Sequence, residues 1–244
     1  MFNLFRSLFM LKYLLSFTCF LLIFLSLNAQ NQDYQELMEQ DWAELKRYHD
    51  ENQEIIKNSQ WPAVVFMGNS ITEGWKNMHP EFFKKNNYAG RGISGQTTPQ
   101  MLIRFTPDVL DLNPKAVVIL AGTNDIAGNT GFSSVKMITD NIKAMAVLAK
   151  QKDIKVILSA VLPVYDYPWR PGLEPVSKIA RINSWLKTYA EENGHIYLDY
   201  FSHMAREDGG MKKEFSEDGV HPNEKGYDVM EPLVQKAIEK ALAE

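Results

Sequence analysis

Ser70 lies in the stretch VVFMGNSITEGW (64–75), where an apolar run and a glycine lead into Asn69-Ser70 and then a helical pattern. Ser70 and Glu73 match a capping box, in which a serine caps a helix and the glutamate reaches back to it. A serine in that position acts as a nucleophile only if other residues supply a base, a group to orient the base, and donors for an oxyanion. Of the five histidines, His49, His79, His195 and His203 read as surface or structural residues. His221 follows Asp218 by three residues in DGVHPNEKGY. A turn through Gly219 can fold the carboxylate onto Nδ1–H, fix the tautomer and leave Nε2 free as a general base. Candidate oxyanion donors are the N–H groups of Ser70 and Gly95 (in SGQTT) and the side-chain amide of Asn124 (in AGTND). Losing one such donor costs about 2.7–4 kcal/mol of barrier. Asp125 reads as structural. Taken singly, the capping box and the GTND turn favour ordinary structural roles; with the loop at Gly95 and the late Asp218-x-x-His221 they form a set that chance does not readily assemble.

Further candidates line the loop LPVYDYPWRPG, which holds Tyr165, Tyr167, Trp169 and Arg170. Aromatic faces can stack on sugar rings, so Trp75, Tyr167 and Trp169 are candidates for substrate binding; packing of these aromatics onto the domain is an equal reading. The chain has no H-E-x-x-H, C-x-x-C or calcium-loop pattern and no phosphate-cradling G-x-x-x-x-G-K-[ST]. Neither a metal nor a cofactor is expected.

These residues need elements to position them. Short apolar runs occur at 63–68, 87–92, 116–122, 155–161 and 195–200. Most are apolar on consecutive residues, as in strands buried on both faces of a parallel sheet. Helical spacing fills the gaps over 98–112, 133–150, 175–193 and 224–243, and a polar segment over 32–57 reads as an N-terminal amphipathic helix. The alternation implies an α/β three-layer α/β/α sandwich. Such sheets bind ligands at the carboxyl ends of their strands, where Ser70, Gly95, Asn124 and the aromatic loop fall.

Residues 1–29 carry Arg6 and Lys12, no acid, and an apolar run over 13–27 ending near Ala29. This reads as a signal peptide that is cleaved, or as an uncleaved anchor; either implies export, to the periplasm or beyond. The expected organisation is a signal peptide over 1–29, a helix packed on the domain over 30–60, and a catalytic domain over 61–244. Removing Arg6 and Lys12 from 26 basic residues leaves 24 against 30 acids, a balance of −6. No basic face for nucleic acid is expected, nor stable membrane association once the signal is cleaved. The only cysteine, Cys19, lies in the signal segment, so the mature chain has no disulfide or thiol nucleophile.

The ordered blocks GNSIT, GISGQTT, GTND and DGVHP make the chain resemble the SGNH hydrolase superfamily, the GDSL-type esterases and lipases. The resemblance covers about residues 62–228 and includes acetylesterase and platelet-activating-factor-acetylhydrolase-like branches. It implies a five-stranded flavodoxin-like sheet of order 2-1-3-4-5 and metal-free ester hydrolysis. Ser70 would be nucleophile, His221 base and Asp218 its orienting acid, with Ser70, Gly95 and Asn124 as the oxyanion hole. One departure is Asn69, where the family usually has Asp. The expected substrate is a small-molecule or glycan ester with a short acyl group, acetyl above all. A lysophospholipase-type acylhydrolase and a non-catalytic glycan-binding protein on the same fold are the alternatives.

Overall fold

All five residues of β1 (Val64–Gly68) are buried, because alternate side chains leave a strand on opposite faces and both faces are covered. Val65 and Met67 enter one core, Val64 and Phe66 the other. β1 pairs in parallel with β2 (Tyr88–Gly92) on one side and β3 (Ala116–Ile119) on the other. β4 (Lys155–Ser159) and β5 (Ile196–Leu198) continue the sheet. The order β2-β1-β3-β4-β5 is the one the resemblance implies.

The structure, a computed structural model, describes residues 36 and 38–243; the expected signal segment over 1–29 lies outside them. The chain divides into two units, Met1–Trp42 and Ala43–Glu244, and the sheet lies in the second. Among the described residues, no helix is long and apolar enough to cross a membrane.

Helices cover both faces of the sheet. On one face lie α4 (Thr98–Ile103), α5 (Phe105–Asp108), α7 (Val135–Lys150) and α8 (Pro175–Asn193), through Met101, Phe105, Ile138, Ile142, Ile179 and Ile182. On the other lie α2 (Ser70–Met78), α3 (Pro80–Lys85) and α10 (Glu224–Ala243), through Ile71, Trp75, Phe83, Tyr227 and Met230. Shorter helices α6 (Thr123–Ala127) and α9 (Phe201–Met204) follow β3 and β5.

Two expected helices differ. The pattern over 98–112 breaks into α4, α5 and a 3-10 turn, Leu110–Leu112. Pro107 has no N–H to give the carbonyl four residues back and its ring crowds that carbonyl, which favours a break here. The helix expected over 32–57 is α1 (His49–Asn58) within this unit. Residues 45–48 are turns and Glu44 has φ 52°, which a right-handed helix does not admit. Residues 43–58 also belong to the same compact unit as the sheet, and Ile55 and Ile56 pack against its core.

Candidate active site

α2 begins at Ser70, and Asn69 occupies its N-cap: Asn69 Oδ1 accepts from Ile71 N at 3.2 Å. The capping box expected from Ser70 and Glu73 therefore does not form. Asn is a favoured cap residue, and it takes the position ahead of the serine. That gives the Asn at this position a physical role. The start of α2 rests directly on the end of β2, where a Cβ on Gly92 would stand 2.2 Å from Glu73 N and 2.7 Å from Asn69 O. Only glycine admits that approach.

Ser70 Oγ lies 2.9 Å from His221 Nε2. His221 Nδ1 lies 2.6 Å from Asp218 Oδ2. The 218–221 turn is built to hold this pair. Asp218 Oδ1 accepts from the N–H groups of Val220 and His221, each at 2.8 Å, and from Ser216 Oγ at 3.1 Å, which leaves Oδ2 for the imidazole. Gly219 turns the chain at φ 79°, where side-chain-bearing residues are strained. Partial burial alone would raise the Asp218 carboxyl, but the His221 ring and the two N–H groups outweigh it and hold it at about 2. The carboxylate is thus ionised at neutral pH and fixes the proton on Nδ1, leaving Nε2 to accept from Ser70. Tyr227, early in α10, donates from its hydroxyl to Ile71 O at 2.8 Å and ties the histidine side of the site to the serine helix.

Asn124 is buried at the start of α6, and its Nδ2 donates to Gln96 O at 3.0 Å. An amide nitrogen carries two hydrogens, so this bond can orient the group while one N–H remains for a ligand. Gly95 has φ 79°, and its carbonyl accepts from Asn129 Nδ2 at 3.0 Å. Asp125 is structural, as expected: its carboxylate accepts from Thr98 N at 3.0 Å and from Thr98 Oγ1 at 2.5 Å. Burial raises its pKa against the pull of those donors.

Two of the three substrate-binding candidates are corrected. Trp75 is 1% exposed, stacked between Phe82 (5.4 Å) and Tyr227 (5.6 Å). It lies five residues past Ser70, roughly 140° around the helix, and so faces the core. Tyr167 is fully buried, with its hydroxyl 3.0 Å from Thr123 Oγ1 and 2.9 Å from Thr123 O. It anchors its loop, and burial pushes its phenol up. Trp169 alone lies at the site, 47% exposed, its ring 6.0 Å from the His221 ring. Arg170 locks the same loop to the one after β3, donating to Ala127 O at 2.9 Å and Gly128 O at 2.8 Å.

Sequence reasoning missed a buried charge network behind the serine. Arg104 donates to Gly68 O and Arg91 O, both at 2.9 Å, and so clamps the ends of β1 and β2 together. It also binds Gln96 Oε1 at 2.6 Å and pairs with Asp108 at 2.8 Å. Burial lowers its pKa against the opposing pull of Asp108. Arg91, equally buried, donates to Asn52 Oδ1 and Glu51 Oε1 on α1. A signal was present: Arg104 shares a helical face with the core residue Met101 three residues earlier, and a lone charge on an apolar face needs partners. Among the described residues, no group of three or more His, Cys, Asp and Glu side chains could hold a metal ion.

A parallel α/β sheet whose strand-end loops bring a serine, a histidine and an aspartate into one hydrogen-bonded line has the architecture of an acyl hydrolase. The GDSL-like lipase/acylhydrolase family model matches residues 66–229, about two thirds of the chain, and the chain belongs to that family. It is a carboxylic ester hydrolase of the SGNH superfamily. A GDSL-like lipase from Bacteroides thetaiotaomicron is 47% identical, with a TM-score of 0.78 over 82% of this chain and 100% of that one. A catalytic mutant of an acetylxylan esterase from Geobacillus stearothermophilus shares the fold at 15% identity, with a TM-score of 0.57 over 72% of this chain and 93% of that one. The Bacillus subtilis lipoprotein YqeF is 26% identical over 151 residues, 60% of this chain and 56% of YqeF. The chain thus matches little more than half the length of that curated relative.

Proposed function

We propose that the protein is an exported serine esterase that removes short acyl groups, acetyl above all, from carbohydrate. The observation that carries the catalytic part is the unbroken line from Ser70 Oγ through His221 to Asp218, at 2.9 and 2.6 Å. In this reading Ser70 Oγ attacks the ester carbonyl as His221 Nε2 takes its proton. The N–H groups of Ser70 and Gly95 and the Asn124 amide receive the oxyanion, and Asp218 stabilises the imidazolium. Collapse of the tetrahedral intermediate passes the proton from Nε2 to the departing alcohol. Water, deprotonated by the same nitrogen, then releases the acid from the acyl-serine.

The carbohydrate assignment is supported by Trp169, the exposed aromatic face beside His221. A fold shared with an acetylxylan esterase agrees with it. Export is supported by the signal-like segment over 1–29 and by similarity to a lipoprotein. The test is a panel of p-nitrophenyl esters of rising acyl length, with acetylated xylooligosaccharides and phospholipid vesicles alongside. Turnover is expected to be highest with acetyl, with acetate released from the oligosaccharides. Activity that climbs with acyl length and at lipid interfaces would replace this assignment with a lipase-type one. Binding of the oligosaccharides without release of acetate would leave a glycan-binding protein.

A further inference from the structure

The Gly95 N–H, an oxyanion donor in the reading above, belongs to an exposed stretch, since Ser94 and Gly95 both lie at the surface. Exposed loops are the mobile parts of a fold, whereas oxyanion donors must be fixed in advance. Something has to hold this loop. On one side of the Gly95 N–H, Glu73 Oε2 accepts from Ser94 N at 3.0 Å and, through a very short bond, from Ser94 Oγ. On the other, Asn129 Nδ2 donates to Gly95 O at 3.0 Å. The second oxygen of Glu73 is held by Arg47 at 3.0 Å. Next to Arg47, the Tyr48 hydroxyl donates to Gly92 O at 2.5 Å. Partial burial alone would raise the Glu73 carboxyl, but Ser94 and Arg47 hold it below the usual range.

We propose that Glu73 is a positioning residue for the oxyanion loop, fixing the Gly95 N–H from the serine's own helix while Arg47, outside the family-matched region, fixes Glu73. The proposal rests on the esterase reading. It explains why Glu73 leaves the cap of its own helix: one residue on α2 sets nucleophile and oxyanion donor against each other. Glu73 touches no reacting atom, so its loss should slow the chemical step without weakening ground-state binding.

The experiment compares kcat and KM for p-nitrophenyl acetate in the wild type, Glu73→Ala, Glu73→Gln and Asn129→Ala, with Ser70→Ala as control. Glu73→Ala should lower kcat by about tenfold or more, less than the 10²–10³ for removing a donor outright, with KM changed by less than about twofold. Glu73→Gln, whose side-chain oxygen can still accept from Ser94, should recover most of that loss. A folded Glu73→Ala with wild-type kcat overturns the proposal. If Glu73→Ala does not fold, the exposed Asn129→Ala decides: a fall in kcat alone supports the bracket, and wild-type kcat overturns it. Full turnover by Ser70→Ala sinks the esterase reading and the clamp together. An inactive Ser70→Ala beside an undiminished Glu73→Ala removes only the clamp.

Discussion

The side of the site nearest β1 and β2 rests on buried charge, whereas the side formed by the loop after β4 presents an exposed aromatic. Behind the serine, Arg104 and Arg91 are fully buried; Arg104 bonds the carbonyls of Gly68 and Arg91 at the strand ends, Arg91 bonds Asn52, and Asp108 completes the network. Across the site, Tyr167 and Arg170 fasten their loop at two points and leave Trp169 in solvent. The contrast follows from what each wall must do. In the proposed reaction the nucleophile has to be held in place before the substrate arrives, and a low-dielectric network of satisfied charges behind Ser70 suits that role. A surface that selects among leaving groups has to face outward, and it needs only an anchored loop and one flat side chain.

The largest effect should come from the line that joins the two walls. Asp218→Asn is expected to lower kcat by about 10⁴ by presenting the wrong tautomer of His221, as in serine proteases. Steady-state kinetics measure this, and a loss under tenfold would assign Asp218 a structural role. Next, Arg104→Met should cost about 3–5 kcal/mol of stability, because it strands the Asp108 carboxylate in the core. Arg170→Met removes bonds only to carbonyls and should cost about 1.5–3 kcal/mol. Urea unfolding compares the two, and equal losses would erase the distinction between the walls.

A smaller effect is expected at Trp169. Trp169→Ala should raise KM for an acetylated oligosaccharide about three- to tenfold, since one aromatic face contact is worth about 0.5–1.5 kcal/mol. kcat for p-nitrophenyl acetate should stay near wild type, and the reverse pattern would move Trp169 to the chemical wall. The smallest effect concerns pH. The folded-state pKa of Asp218 is depressed from 3.8 to about 2, so its stabilising contribution is present above pH 3.8 and lost as pH falls through 2. The Tm gap between wild type and Asp218→Asn should close as pH falls between about 4 and 2. A gap that stays unchanged between about pH 4 and 2 would contradict the geometry of the 218–221 turn.

The same contrast marks what was legible in the sequence. That Ser70, Asp218 and His221 come together could be read from the sequence, because few histidines competed and only His221 has an aspartate three residues before it across a glycine turn. Four of the strands were legible as apolar runs and β2, which carries Arg91 and two glycines, only weakly so; their order came only from the family resemblance. Trp75 misled because closeness in sequence says nothing about helix face; its spacing of four from Ile71 marked it as core. Tyr167 and Trp169 lie two apart in a loop with no periodicity, so only the fold separates an anchor from an exposed platform. The cap at Asn69 was hidden by a capping-box match one residue late. Glu73 makes its contacts with residues distant in sequence, which no spacing rule reports. Of the Arg104 contacts, only the pair with Asp108 four residues on follows a helical spacing, while those with Gly68, Arg91 and Gln96 do not.

The most direct test of the central claim is covalent. Wild-type protein treated with an aryl fluorophosphonate should gain one adduct by intact mass, mapped to Ser70 by peptide sequencing. His221→Ala should label at least about 100-fold more slowly, since a positioned general base contributes typically 10²–10⁴-fold. An adduct at another residue, or labelling of Ser70 at the same rate without His221, would contradict a nucleophile activated by the His221–Asp218 pair.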